Sequence, residues 1–125
     1  VDINVRRVYE APGKDDGCRI LVDRVWPRGV SKEAAHVDEW HKNVAPTTPL
    51  RQWFGHDPEK WEEFRKRYWK ELNANRDEVA PLLEKARSGR LTLVFSAKDE
   101  KHNNAVVLRE YLLASPKKRA AADQE

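Results

Sequence analysis

Two short apolar runs set the frame for this chain. The first is Ile20-Leu21-Val22, inside "RILVDRVW", and the second is Leu91 to Phe95, inside "RLTLVFSA". The first does not alternate with polar residues, so it reads as a strand buried on both faces. The second is the clearest strand in the chain. A long stretch with helical signals lies between them. Strands joined by a helical crossover lie parallel, because a tight turn cannot link parallel neighbours. The expected fold class is therefore α/β, with a small, mostly parallel three- or four-stranded sheet packed by helices in one domain. The 125 residues are enough for one such core, since chains of this size bury roughly two-thirds of their unfolded surface.

"INVRRVY" (Ile3 to Tyr9) alternates as a strand does, and "APGKDDG" (Ala11 to Gly17) is turn chemistry. So short a link to the second strand favours a hairpin unless the loop hides a turn of helix. Ser31 is placed to cap a short helix over 32–36. Residues 37–49 read as irregular, anchored by Trp40. Thr48-Pro49 opens a helix through Trp53, and Asp57-Pro58 repeats the device. The helix after it carries Trp61, Phe64, Tyr68 and Leu72 on one face. Glu62 with Lys66 and Glu63 with Arg67 are acid-before-base pairs on its other faces. A further helix over about Asp77 to Ser88 buries Val79, Leu82, Leu83 and Ala86, and Pro81 moves its expected start towards Ala80. Gly89 ends it. Asp99 reads as the cap of a last helix carrying Ala105, Val106, Leu108, Leu112 and Leu113. The domain then spans residues 1–114, with 115–125 as a flexible basic tail.

The net charge of +3 argues little for nucleic acid. The tail sets Lys117, Lys118 and Arg119 against Asp123 and Glu125, which leaves the body only weakly basic, whereas nucleic-acid binders cluster their cations on one face. Cys18 is the single cysteine, which rules out an internal disulfide and suits a reducing cytoplasm. No apolar run approaches the roughly 18 residues that span a bilayer, and no stretch reads as a secretory leader. No membrane partner is expected.

In parallel sheets, ligands gather at the carboxyl ends of the strands. Two charged segments leave such ends here, "DRVWPRG" (Asp23 to Gly29) and "SAKDEKHN" (Ser96 to Asn103). If their strands are parallel neighbours, the segments meet. Asp23 would then orient Arg24 or Arg28, whose planar forks suit oxyanions, while Trp26 walls a pocket. Lys98, His102 and Asn103 would surround the amino end of the last helix, where free backbone donors hold phosphate or carboxylate. His56 and His102 are the candidates for proton transfer, with Asp23 and Asp99 as orienting carboxylates. Plainer roles compete at each place. Asp99 and Asp57 can be simple caps, and Asp23 can form an internal salt bridge. Cys18 starts its strand, at the end away from this site, and reads as a packing residue. His36, Asp38 and His41 match no strong ligand spacing, and no Gly-rich phosphate loop or nucleophile elbow is present. Neither metal nor cofactor is expected.

"LVDRVWPRG", "DEWHKNVAPTTPLRQWFGHDPEKWEEF" and "TLVFSAKDEKHNNAVVLREYL" together resemble the YeaO-like branch of the domain-of-unknown-function 488 family, over nearly the whole chain before the tail. The resemblance implies a small cytoplasmic α/β protein of bacteria or archaea. The family pattern maps onto Asp23, Arg24, Trp26, Pro27, Arg28 and Gly29, then onto Trp40, Ala45-Pro46, Leu50-Arg51, Phe54 and His56-Asp57, and finally onto Asp99, His102 and Asn103. More distant branches carry a Cys-His-Arg-like signature after the last strand. The corresponding segment here has no cysteine, so thiol chemistry does not transfer. Three readings of function follow. One is a binding pocket or enzyme for a small anion such as a phosphate ester or nucleotide. The second is a protein-interaction domain with a Trp-rich surface. The third is a nucleic-acid-binding or regulatory module.

Overall fold

The computed structural model describes residues 1–124. Strands β1 (Asp2–Arg7), β2 (Cys18–Leu21), β3 (Glu39–Trp40) and β4 (Arg90–Phe95) form one parallel sheet in the order β1-β4-β2-β3. The helices are α1 (Lys32–Ala35), α2 (Thr48–Phe54), α3 (Trp61–Ala74), α4 (Arg76–Ser88), α5 (Asn104–Leu113) and α6 (Pro116–Ala121). Among the described residues, no helix is long and apolar enough to cross a membrane. β4 is central, and every residue from Leu91 to Phe95 is buried. Side chains alternate along a strand. Leu91, Leu93 and Phe95 therefore join Ile3, Ile20 and Val22 on one face, under Phe64, Tyr68 and Leu72 of α3, Leu82 of α4 and Leu108 of α5. On the other face Val94 packs with Val8, Leu21 and Ala35. Among the described residues, no long helix covers this second face.

The first strand does not form the hairpin that its short link favours. β1 pairs with β4 in parallel, Ile3 opposite Leu91 and Arg7 opposite Phe95. The link Val8–Gly17 runs back along the sheet, and Thr92 Oγ1 donates to the Asp16 carbonyl at 2.6 Å on the way. Ten residues of extended chain reach roughly 33 Å, and a six-residue strand spans about 20 Å, so no helix is needed for the return. An ionic knot fastens it. Asp16 and Arg19 are 4% and 5% exposed. Arg19 Nη1 donates to the Asp16 carboxylate, Nε to the His36 carbonyl at 2.8 Å and Nη2 to the Ala35 carbonyl at 3.1 Å. Arg6 Nε lies 3.0 Å from the other Asp16 oxygen. Gly17 closes the link with φ +66°, and a Cβ there would sit 2.2 Å from the Arg90 carbonyl, which leaves room only for glycine.

Several boundaries differ from the expected ones. Thr47, not Thr48, caps α2, accepting from the Leu50 N–H, and its own N–H and hydroxyl donate to Glu71 of α3. β3 and a 3₁₀ turn at Lys42–Val44 lie inside the stretch expected to be irregular. Pro81 sits within α4 and does not start it. Its missing N–H frees only a carbonyl in the solvated first turn. Asp99 caps a turn of its own, accepting from the Lys101 and His102 N–H groups. The cap of α5 is Asn103, which accepts from Val106 N–H at 3.0 Å. Glu62 pairs with Arg65 and not with Lys66, whereas Glu63 does pair with Arg67. Residues expected as a frayed tail form α6, capped by Ser115. Buried Asn73 of α3 accepts from the Tyr111 hydroxyl at 2.6 Å and donates to the Arg119 carbonyl at 2.7 Å. At the sheet's outer edge Arg109 Nε donates to the Ile3 carbonyl at 2.7 Å.

Burial pushes the Asp16 carboxyl up, but the Gly13 N–H together with Arg19 and Arg6 holds it below its ordinary value of 3.8. A lowered folded pKa stabilises above the unfolded value and loses that contribution as pH falls through the folded one. Urea denaturation of Asp16→Ala should show a loss of about 3–5 kcal/mol, because Arg19 is left buried without its partner. The variant should also lose less stability than the parent on acidification below about pH 4. Truncation after Ala114 should cost about 1–3 kcal/mol in the same assay, because Asn73 then loses its acceptors.

Candidate functional site

With all four strands parallel, their carboxyl ends share one side of the sheet. The segments that leave them are bound to one another by side chains. Asp23, after β2, accepts from the Ser96 N–H at 3.0 Å and the Ser96 hydroxyl at 2.7 Å, after β4. Asn104 donates to the Val22 carbonyl at 3.0 Å and to Asp23 Oδ1 at 3.3 Å. Arg24 reaches the segment after β3, donating to the carbonyls of Ala45 and Pro46, both at 3.1 Å. Trp40 Nε1 donates to the Asp23 carbonyl at 2.7 Å. Arg7, at the end of β1, donates to the Ala97 carbonyl at 3.0 Å, and Tyr9 donates to the Arg28 carbonyl at 2.9 Å.

A cleft of about 560 Å³ opens among these segments. Asp23, Arg24, Trp26, Arg28, His56, Lys98 and Asn103 all line it. They do not play equal parts. Arg24 is tied to two carbonyls, and both amide atoms of buried Asn103 are engaged, Oδ1 at Val106 and Nδ2 at the Asp99 carbonyl. Trp26 forms a wall and is fixed by its own bond to the Val30 carbonyl at 2.6 Å and an edge contact with Trp40. The side chains of Arg28 and Lys98 are exposed and make no hydrogen bond or ion pair among the described residues. His56 is exposed on the rim with a left-handed backbone, φ +58°, beside Phe54. His102 and Asp99 do not line the cleft. The His102 ring bonds Asp99 at 2.9 Å and packs edge-on against Trp61. The sequence suggested that Asp23 orients Arg24 or Arg28, but it orients neither. Its partners are Ser96 and Asn104.

Three lining cations, Arg7, Arg51 and Lys98, stand with Arg24 and Arg28 around Asp23, the one carboxylate of the lining. Burial raises the Asp23 carboxyl above its ordinary value, against the opposing pull of Ser96, Asn104 and the Arg51 charge. Arg51 has no ion pair or hydrogen bond of its own side chain among the described residues. Arg7, Tyr9 and Asn104 were not singled out for the site from the sequence, where Arg51 stood only in the family pattern and Ser96 only as the first residue of its segment. For Arg7 and Tyr9 the missing step was the direction of β1. Once that strand is parallel, its last residues necessarily reach the same end as Asp23. Arg51 carried a signal too, one helical turn past a Thr-Pro helix start. In thermal and urea denaturation, Arg24→Ala should cost about 1–3 kcal/mol, since the buried Ala45 and Pro46 carbonyls lose their donor. Arg28→Ala should stay within about 0.5 kcal/mol of the parent.

Comparison with known proteins places the chain in a family. The family model for the inactive DUF488-N3 subclade matches residues 2–125. The chain is similar to the uncharacterized protein YeaO of Escherichia coli strain K12, 40% identical over 112 residues that cover 90% of this chain and 97% of that protein. It is equally similar, at 40% over 112 residues, to the uncharacterized proteins Rv3073c of Mycobacterium tuberculosis strain H37Rv and Mb3100c of Mycobacterium bovis. Each of those matches covers 88% of this chain and 92% of the relative. No solved structure matches the chain. A parallel four-stranded sheet with its strand-end segments tied together over a cleft is thus the form taken by a YeaO-like protein, and the chain belongs to the inactive DUF488-N3 subclade.

Proposed function

We propose that the cleft at the strand ends binds a small organic anion, a phosphate ester or nucleotide-like molecule, and that the protein acts by binding and not by turnover. The observation that carries this reading is the difference among the lining cations. Arg7 and Arg24 are tied to backbone carbonyls, while Arg28, Arg51 and Lys98 point no bond at the protein itself. Unpaired cations beside apolar walls, here Trp26, Phe54 and Phe64, suit a ligand with a charged head and an apolar body. A space of this size exceeds what a bare inorganic ion fills. Description of the subclade as inactive supports a binding role. So does the arrangement of the histidines, since His102 faces Trp61 and Asp99 and leaves only His56 on the rim. A cytoplasmic location fits the lone, unpaired Cys18.

A second reading, a docking surface for another protein, draws on Tyr9, Val25 and Trp40, which stay 47%, 56% and 41% exposed. Tyr9 and Val25 line the cleft itself, and Trp40 packs against lining Trp26, so a partner would cover the same place. Nucleic acid draws less support, because Arg65 and Arg67 of α3 are already matched by Glu62, Glu110 and Glu63.

Binding is testable through the intrinsic tryptophan fluorescence, to which the lining Trp26 contributes, and by calorimetry with phenyl phosphate. The parent protein should bind saturably, and less tightly as salt rises. Arg51→Ala and Lys98→Ala should each weaken binding about tenfold or more, the scale of a lost hydrogen bond to a charged group. Lys66→Ala, on the far face of α3, should not. Absence of saturable binding to the parent would end this reading.

A further inference from the structure

The lone carboxylate in a cationic cleft poses a problem that its hydrogen bonds resolve. A carboxylate has about four acceptor positions. The two on Asp23 Oδ2 are filled by the Ser96 N–H and hydroxyl. Oδ1 has only the long contact to Asn104, whose amide already serves the Val22 carbonyl. No lysine or arginine of the described residues pairs with Asp23, although five line the same space. The charged and titratable groups that line the cleft with it are Tyr9 after β1, Arg28 after β2, Arg51 of α2, His56 after α2 and Lys98 after β4, with Arg7 and Arg24 held on carbonyls, and buried Tyr68 of α3 is close enough to feel its charge. Oδ1 therefore retains acceptor capacity beside the space the ligand would occupy.

An acceptor there is a poor neighbour for a fully ionised anion. Such a ligand brings only lone pairs, and two acceptors at hydrogen-bond distance with no hydrogen between them repel. A ligand that carries one hydroxyl hydrogen among its anionic oxygens turns the same contact into a bond, while its other oxygens meet the cations. From this geometry we infer that Asp23 makes the cleft selective for a tetrahedral oxyanion that carries a proton, namely the monoanion of a phosphate monoester, over a sulfate ester of the same shape and charge. The inference rests on the anion-binding reading above and names the ligand class of that site. A phosphate monoester, with a second pKa near 6, takes up a proton readily. A sulfate ester stays ionised.

The consequence is a proton taken up on binding. At pH 7.5 free phenyl phosphate is mostly dianionic, so the bound pair must gain about one proton. Calorimetry in two buffers of different ionisation heat reads that number directly. The parent protein should take up about one proton per phenyl phosphate bound and should bind phenyl sulfate about tenfold or more weakly. Asp23→Asn keeps an oxygen for Ser96 and should lose both the uptake and the preference, with its fold checked by circular dichroism. His56→Asn, which tolerates the left-handed backbone, should retain the uptake and so exclude the imidazole as its source. Binding of phenyl phosphate with no proton uptake, or with equal affinity for both esters, overturns the role of Asp23 and leaves the anion site standing. The comparison of the two esters on the parent protein decides this even if Asp23→Asn does not fold. Failure of both esters to bind overturns the site and this inference together.

Discussion

A strand buried on both faces can present polar chemistry only at its ends. β4 is such a strand, and its neighbours β1 and β2 both run parallel to it. Everything else in the molecule follows from that arrangement. Helices α3, α4 and α5 cover one face, and the returning link and α1 cover the other. Polar side chains are pushed to the carboxyl ends, where segments far apart in sequence come within hydrogen-bonding distance. Asp23 and Ser96 bond across the ends of two adjacent strands.

The site is made of two kinds of arginine that composition alone cannot separate. Arg7 and Arg24 bond backbone carbonyls at strand ends and so hold the walls of the cleft. Arg28 and Arg51 carry their charge with no protein partner among the described residues. Guanidinium geometry suits both tasks, since five donors in a fixed fork satisfy either two carbonyls or an oxyanion. The first kind builds the pocket, and the second gives it a sign.

Much of the frame was legible in the sequence because local physics agreed with the fold. Buried strands read as apolar runs, Ser31 capped α1, and the apolar spacing of α3 matched its buried Phe64, Tyr68 and Leu72. The meeting of "DRVWPRG" and "SAKDEKHN" followed from two parallel strands and one long crossover. What stayed hidden depended on distant partners. β1 could be placed only through an ionic knot between Arg6, Asp16 and Arg19, and no local propensity encodes that. Asp99 has the right chemistry for a helix cap, yet the chain makes a separate turn there and Asn103 caps α5. The basic segment after Ser115 looked unable to fold by composition, but buried Asn73 and the Tyr111 ring give Arg119 a place to dock. His102 fitted the site by position, and the aromatic surface of Trp61 holds it outside the cleft.

The two margins of the sheet are also informative. β3 is only two residues long, and Glu39 within it bonds His41 and Lys85. Along β1, Arg109 occupies the Ile3 carbonyl, and charged Arg6 and Arg7 lie on the strand itself. Open rows of amides and carbonyls are templates for unwanted strand addition, and short or charged borders blunt them. A parallel sheet this small could otherwise grow sideways by recruiting another copy. With both flanks closed in this way, lateral addition of a further strand is disfavoured at either margin of the sheet.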